Sequence, residues 1–71
     1  MQITYNPNSD LLYLRLDGRK QKVRNERVTD DIVLDIGEKD RIVGIEILDA
    51  SKHVNLEGLM PVRFKLSKAM A

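Results

Sequence analysis

The chain has 71 residues, a formal net charge of +1 and no cysteine. This length allows a single domain, which buries only about 60% of the surface that its unfolded chain exposes. Disulfides are excluded, and a zinc site built on cysteine and histidine is excluded because His53 is the only histidine. We therefore expect part of the stability to come from self-association or from a protein partner.

The start of the chain is polar and lacks the charged beginning and apolar centre of a signal peptide. No apolar run approaches the ~20 residues that a membrane-spanning helix needs. Together with the lack of cysteine, these features predict a cytoplasmic protein without membrane contact.

The first half of the chain has the pattern of β-strands. Residues 2–5 form a short β-prone run that ends at a cluster of turn formers. Residues 11–16 alternate between two faces and end at Asp17-Gly18, a pair that is typical of a hairpin turn. Residues 22–28 are polar and predict an exposed edge strand.

A second hairpin is predicted from residues 32–36 and 43–47, joined by a loop of residues 37–40. This register places large apolar side chains opposite one another on one face. The predicted pairs are Ile36 with Arg41, Leu34 with Val43 and Ile32 with Ile45.

The last third predicts one short helix, with Asp49 as its N-cap and stop signals at Asn55 and Gly58. A final strand is predicted at residues 62–66, followed by a frayed tail at 67–71. The expected fold is a single α+β domain over residues 1–66, an antiparallel β-meander of four to five strands with one short helix near the C-terminus. The expected core comprises Ile3, Leu12, Leu14, Leu16, Val23, Ile32, Leu34, Val43, Ile45 and Ile47, with Val54, Leu56 and Phe64.

Three segments resemble a known family: residues 3–7, residues 10–16 and, most specifically, Gly44-Ile45-Glu46-Ile47-Leu48-Asp49-Ala50-Ser51-Lys52. They are similar to the small bacterial family labelled domain of unknown function 2283, over residues 2 to 52. That label implies no established activity. Some members sit beside small toxin-like genes, so the resemblance implies an antitoxin or partner-binding role.

Acidic residues between 30 and 49 outnumber basic ones by seven to two. The predicted register places Asp31, Asp35 and Glu46 on the second face of the sheet, with Gly44 leaving a gap among them. Three interpretations remain open: a solvated or ion-paired face, a site for a hard cation such as Mg²⁺ or Ca²⁺, and a carboxylate pair for acid–base catalysis.

Basic residues dominate between positions 15 and 27, by six to two. A basic two-stranded ribbon could bind nucleic acid, but the near-neutral chain and its acidic segment argue against this. The other interpretation is that the basic and acidic hairpins neutralise each other, within one sheet or across a dimer. The candidate interaction residues are Arg15, Lys22, Arg24, Arg27 and Glu46.

No catalytic constellation accompanies these charges. His53 has no nucleophile or second histidine at a mechanistic spacing, so we expect it at the surface. The sequence therefore predicts a non-enzymatic protein-interaction module without a cofactor, acting as a homodimer or with a small protein partner. The alternative is a small metal- or ligand-binding protein that uses its acidic sheet face.

Overall fold

In the computed structural model, residues 1–59 and 62–67 are described, and they contain one five-stranded antiparallel sheet. The strands are β1 (Gln2–Asn6), β2 (Leu11–Arg15), β3 (Arg24–Arg27), β4 (Ile32–Ile36) and β5 (Ile42–Ile47). Their order across the sheet is β1-β2-β5-β4-β3, so β5 lies at the centre. The predicted strands in the first 47 residues are therefore confirmed.

The predicted meander is wrong, because β2 pairs with β5 and not with β3. Asp17-Gly18 consequently joins no pair of adjacent strands. The backbone N–H of Leu16 donates to the carbonyl of Val43 at 2.7 Å, and residues 16–23 then carry the chain to the far edge of the sheet. Pairing with the central strand partly buries the apolar side chains of β2. β3 is fully exposed, and its charged side chains suit the edge of a sheet.

The predicted helix is also wrong, since the described residues form only isolated 3-10 turns at Glu38–Asp40, Ala50–Lys52 and Leu56–Gly58. The fold is therefore mostly β. Asp49 adopts a left-handed backbone conformation with φ 50°, and its side chain makes no capping hydrogen bond. A helix from Asp49 to these stop signals would be too short to offset the free-energy cost of nucleation. The observed turns therefore depend on tertiary contacts.

Asp10, and not Asp49, supplies the side chain that caps the turn after β5. Its backbone carbonyl accepts a hydrogen bond from the N–H of Ala50 at 2.9 Å. Its carboxylate accepts from the Ser51 N–H at 3.1 Å, from the Ser51 Oγ at 2.7 Å and from the Tyr5 hydroxyl at 2.7 Å. The Ser51 and Tyr5 hydrogen bonds lower the pKa of Asp10 below its ordinary value. One acid thus ties the β1–β2 turn to the end of β5.

The register of the β4–β5 hairpin differs by two residues from the prediction: Leu34 lies opposite Ile45, and Asp35 opposite Gly44. The loop holds one more residue than predicted, because Lys39 and Asp40 adopt left-handed conformations and Ile36 pairs with Ile42. A bulge between Asp35 and Ile36 adds the second residue. Since a shift of two preserves the alternation, the predicted division of side chains between the faces is retained.

The two faces of the sheet differ sharply in composition. We call one the apolar face, which carries Ile3, Leu12, Leu14, Ile32, Leu34, Ile45 and Ile47, and the other the polar face, which carries Tyr13, Arg15, Asn25, Arg27, Val33, Asp35, Gly44 and Glu46. Leu12 and Val43 are buried as predicted, whereas Leu16, Val23 and Phe64 are exposed, contrary to prediction. The other predicted core residues are only half-buried.

The C-terminal segment forms no strand within residues 62–67, so the predicted final strand is not formed there. The predicted frayed tail lies, apart from Ser67, outside the described residues, and the domain boundary at residue 66 stays a prediction. Among the helices of the described residues, none has the length and hydropathy to cross a membrane.

Replacing Asp10 with alanine should lower the thermal unfolding midpoint at pH 7, because three side-chain hydrogen bonds are lost together. The lowered pKa means that the folded state favours the ionised form, so this stabilisation is present above pH 3.8 and is lost as the pH falls through the lowered pKa. Thermal unfolding of wild type and D10A between pH 7 and pH 2 measures it.

The matched control is Asp30→Ala, an exposed acid whose carboxylate makes no hydrogen bond to the described residues. We expect D30A to leave the midpoint nearly unchanged at pH 7. Equal losses for D10A and D30A, or a D10A loss that is constant with pH, would contradict the capping role.

Candidate functional site

The polar face is organised in two rows of cross-strand neighbours. The first row contains Tyr13, Glu46, Val33 and Arg27, and the second contains Arg15, Gly44, Asp35 and Asn25. Asp35 and Arg15 therefore flank Gly44 on either side, while Glu46 lies one step along β5. This arrangement brings two of the three predicted acidic residues together.

Gly44 is required by the position of the Tyr13 ring. A Cβ atom at residue 44 would lie 2.6 Å from Cζ and 2.8 Å from Cε1 of Tyr13, both far inside van der Waals contact. The ring therefore lies across the glycine backbone, where it brings the phenol beside Asp35. The gap that the sequence predicts at Gly44 is filled by this tyrosine.

Asp35 is the most deeply placed charged residue of the polar face, with 8% of its surface exposed. Its carboxylate accepts a hydrogen bond from the Asn25 amide of the neighbouring strand. The pKa of Tyr13 is raised by burial and by the Asp35 carboxylate beside it, while Arg15 acts in the opposite direction. The phenol thus stays protonated and can donate to the carboxylate.

Glu46 is half-buried and interacts with the same carboxylate. Its pKa is raised from 4.5, first by burial and then by hydrogen bonding and charge repulsion from Asp35, with Arg27 opposing the shift. Glu46 therefore holds its proton more tightly than a solvent-exposed glutamate does.

Asp31, the third predicted acidic residue, has a different partner. Its carboxylate lies 2.8 Å from Nε2 of His53, which the structure leaves exposed as predicted. Asp31 directly precedes β4, and its backbone carbonyl accepts a hydrogen bond from the N–H of Leu48. Within residues 1–59 and 62–67, no group of three metal-ligating side chains is present.

The predicted basic residues do not form a ribbon, because their strands are not adjacent. Arg15 and Arg27 share the polar face on β2 and β3, with two strands between them. Arg24 lies 3.1 Å from the Asp40 carboxylate, which joins the basic and acidic segments within one sheet. Lys22 lies exposed in the connection before β3. Tyr13 and Asn25 are not among the predicted site residues, and the glycine inside strand β5 was the sequence signal that could have indicated the tyrosine.

The apolar face contains a concave surface, a groove between the sheet and the C-terminal turns. This groove has a volume of about 630 Å³ and is lined by Met1, Ile3, Tyr5, Leu12, Leu56, Leu59 and Val62. Beside it, Leu14, Ile45 and Leu34 form a row across three adjacent strands, and each of them is only half-buried. An apolar groove of this size lies in the range of binding sites.

Comparison with known proteins agrees with the resemblance seen in the sequence. A family model described as a protein of unknown function (DUF2283) matches residues 2–51. The chain belongs to this family. The DUF2283 match covers all five strands and both faces of the sheet, including Tyr13, Asp35, Gly44 and Glu46.

One curated protein of Methanosarcina mazei, named putative hypoxanthine phosphoribosyltransferase, is 54% identical over 39 residues. The match covers 55% of the DUF2283 chain and 32% of that protein, so the chain spans about a third of the relative's length. No solved structure matches the chain.

Replacing Gly44 with alanine should displace the Tyr13 ring, because the added Cβ overlaps it. We expect a destabilisation of about 1–3 kcal/mol, as for other overpacked sites. Urea unfolding of G44A, Y13A and the double variant measures the coupling. In the Y13A background G44A should cost little, and equal costs in both backgrounds would show that the ring does not explain the glycine.

Replacing Glu46 with glutamine should stabilise the protein above pH 7 by up to about 1 kcal/mol, because the half-buried carboxylate and its repulsion from Asp35 are removed. The raised pKa means that the folded state binds the proton more tightly than the unfolded state. Wild type therefore loses stability as the pH rises from 4.5 through the raised pKa. Unfolding midpoints at pH 4.5 and 7.5 should differ less in E46Q than in wild type.

The control for this variant is Glu26→Gln, an exposed acid on β3 that lies 4.0 Å from Arg24. We expect E26Q to keep the pH dependence of wild type. If E26Q flattens the pH dependence as much as E46Q does, the effect does not come from the carboxyl pair.

Proposed function

We propose that this protein is a non-enzymatic interaction module that binds a protein partner through its apolar face. The observation that carries the proposal is the incomplete burial of the apolar face. Leu14, Ile45 and Leu34 form a row across three adjacent strands in the middle of this face, yet each of them is only half-buried. Contiguous apolar surface that stays open to solvent is typical of an interaction site.

The C-terminal turns support the same interpretation. They leave most of the apolar face half-buried, with a groove that is lined by Leu12, Leu56 and Leu59. A second layer supplied by a partner would complete the two-layer arrangement that stable domains have. A cytoplasmic location remains part of this proposal.

An antitoxin role is one form of such an interaction, and its support is the family resemblance alone. The name of the Methanosarcina relative gives this chain no activity, because the match covers a third of that protein. The acidic-face alternative rests on Asp35 and Glu46, now without Asp31. Calorimetric titration with Mg²⁺, Ca²⁺ and Mn²⁺ tests it, and measurable heat that E46Q abolishes would favour it.

The interaction is tested with Leu34→Gln, which places a polar side chain in the middle of the apolar face. Immobilised wild type, L34Q and the control Val28→Gln are compared for stoichiometric retention of protein from native extract and from a solution of the purified chain. Val28 is 57% exposed and lies at the end of β3, outside the groove lining. We expect L34Q to lose retention and V28Q to keep it.

Circular dichroism of both variants checks that the sheet is intact. Retention that is equal for wild type and L34Q, with the fold preserved, would contradict binding through the apolar face.

A further inference from the structure

We propose that the partner is a second copy of this chain, and that Phe64 of each copy enters the apolar groove of the other. This inference rests on the proposed function and names its partner. The interface then contains a contribution from both copies, since neither groove is filled without the second chain.

The groove and the side chain that would fill it lie next to each other on the molecule. Val62 lines the groove, and Phe64 follows two residues later, within about 7 Å along an extended chain. Yet Phe64 is 90% exposed and Leu66 is 80% exposed, so neither enters the groove of its own chain. A large aromatic side chain therefore projects into water beside an open apolar groove.

This combination suits a symmetric dimer. An interface around a two-fold axis uses the same patch on both copies, so the patch must contain the projecting group and the cavity that receives it. Phe64 and the groove satisfy that condition on one side of the molecule. The two-fold rotation that places one Phe64 in the partner's groove also places the other Phe64 in the first groove. Both grooves are then filled, and the assembly stops at two copies.

The two edges of the sheet differ in charge, and the uncharged edge lies beside the groove. The β3 edge carries Arg24, Glu26 and Arg27, and such charges oppose association along an edge. The β1 edge carries no charged side chain, and its Ile3 and Tyr5 line the groove. The unprotected edge, the groove and the exposed Phe64 thus form one continuous surface.

The surface area of the chain is sufficient for such a dimer. Its accessible surface is 6096 Å². A standard interface buries ~800 Å² of the surface of each partner, a small part of that total. Phe64 alone would bury about 150–250 Å².

The first test is sedimentation equilibrium of the full chain, over a concentration series and in low and high salt. We expect a mass twice the 8.2 kDa of one chain at high concentration, retained in high salt because the contact is apolar. Phe64→Ala should weaken dimerisation at least about tenfold. The control Val28→Ala removes another exposed apolar side chain, outside the groove lining, and should leave the dimer unchanged.

The second test uses the fact that Phe64 is the one phenylalanine of the chain. In an equimolar mixture of ¹³C-labelled and unlabelled protein, isotope-filtered NMR detects contacts between copies only. We expect contacts from the Phe64 ring to the methyl groups of Ile3 and Leu12. A fluorine label on Phe64 should give a resonance that shifts with the dimer fraction.

A chain that stays monomeric at every concentration overturns the second-copy partner, and a dimer that dissociates in high salt overturns the apolar contact through the groove. A dimer that F64A leaves intact, without contacts from Phe64 between copies, overturns the role of Phe64. Retention from native extract that L34Q abolishes would still support the proposed function in each case, so the two failures are distinguishable.

Discussion

The central position of β5 is the constraint on which the rest of the structure depends. β5 pairs with β2 on one side and β4 on the other, and residues 44–47 therefore have cross-strand neighbours on both sides. Ile45 and Ile47 build the apolar face, while Gly44 and Glu46 face the opposite way. The end of β5 is then held by Asp10, which caps the turn at Ala50–Lys52.

The described residues form a single-layer sheet without a helix, and this explains why much of the apolar face is only half-buried. Long side chains cover part of the polar face: Tyr13 lies over Gly44, and Asn25 donates to Asp35. Leucine and isoleucine side chains are too short to lie across their neighbours in the same way. The apolar face needs a second layer, and the described residues supply only a few turns for it.

The side chains of Tyr13, Asp35 and Glu46 on the polar face have a structural role. Gly44 admits the tyrosine ring, the ring reaches Asp35, and burial together with the Asp35 carboxylate raises the pKa of Glu46. Asp31 lies outside this cluster and contacts His53.

The sequence by itself determined the strands, the exposed edge at β3 and the faces of β4 and β5, because alternation with a period of two is a local property. It also indicated Asp35, Gly44 and Glu46 as neighbours on one face. Only the tertiary structure decided that β2 pairs with β5, that Asp10 caps the turn and that no helix forms at Asp49. These features depend on contacts between residues far apart in the chain. Local sequence patterns do not reveal the strength of such contacts.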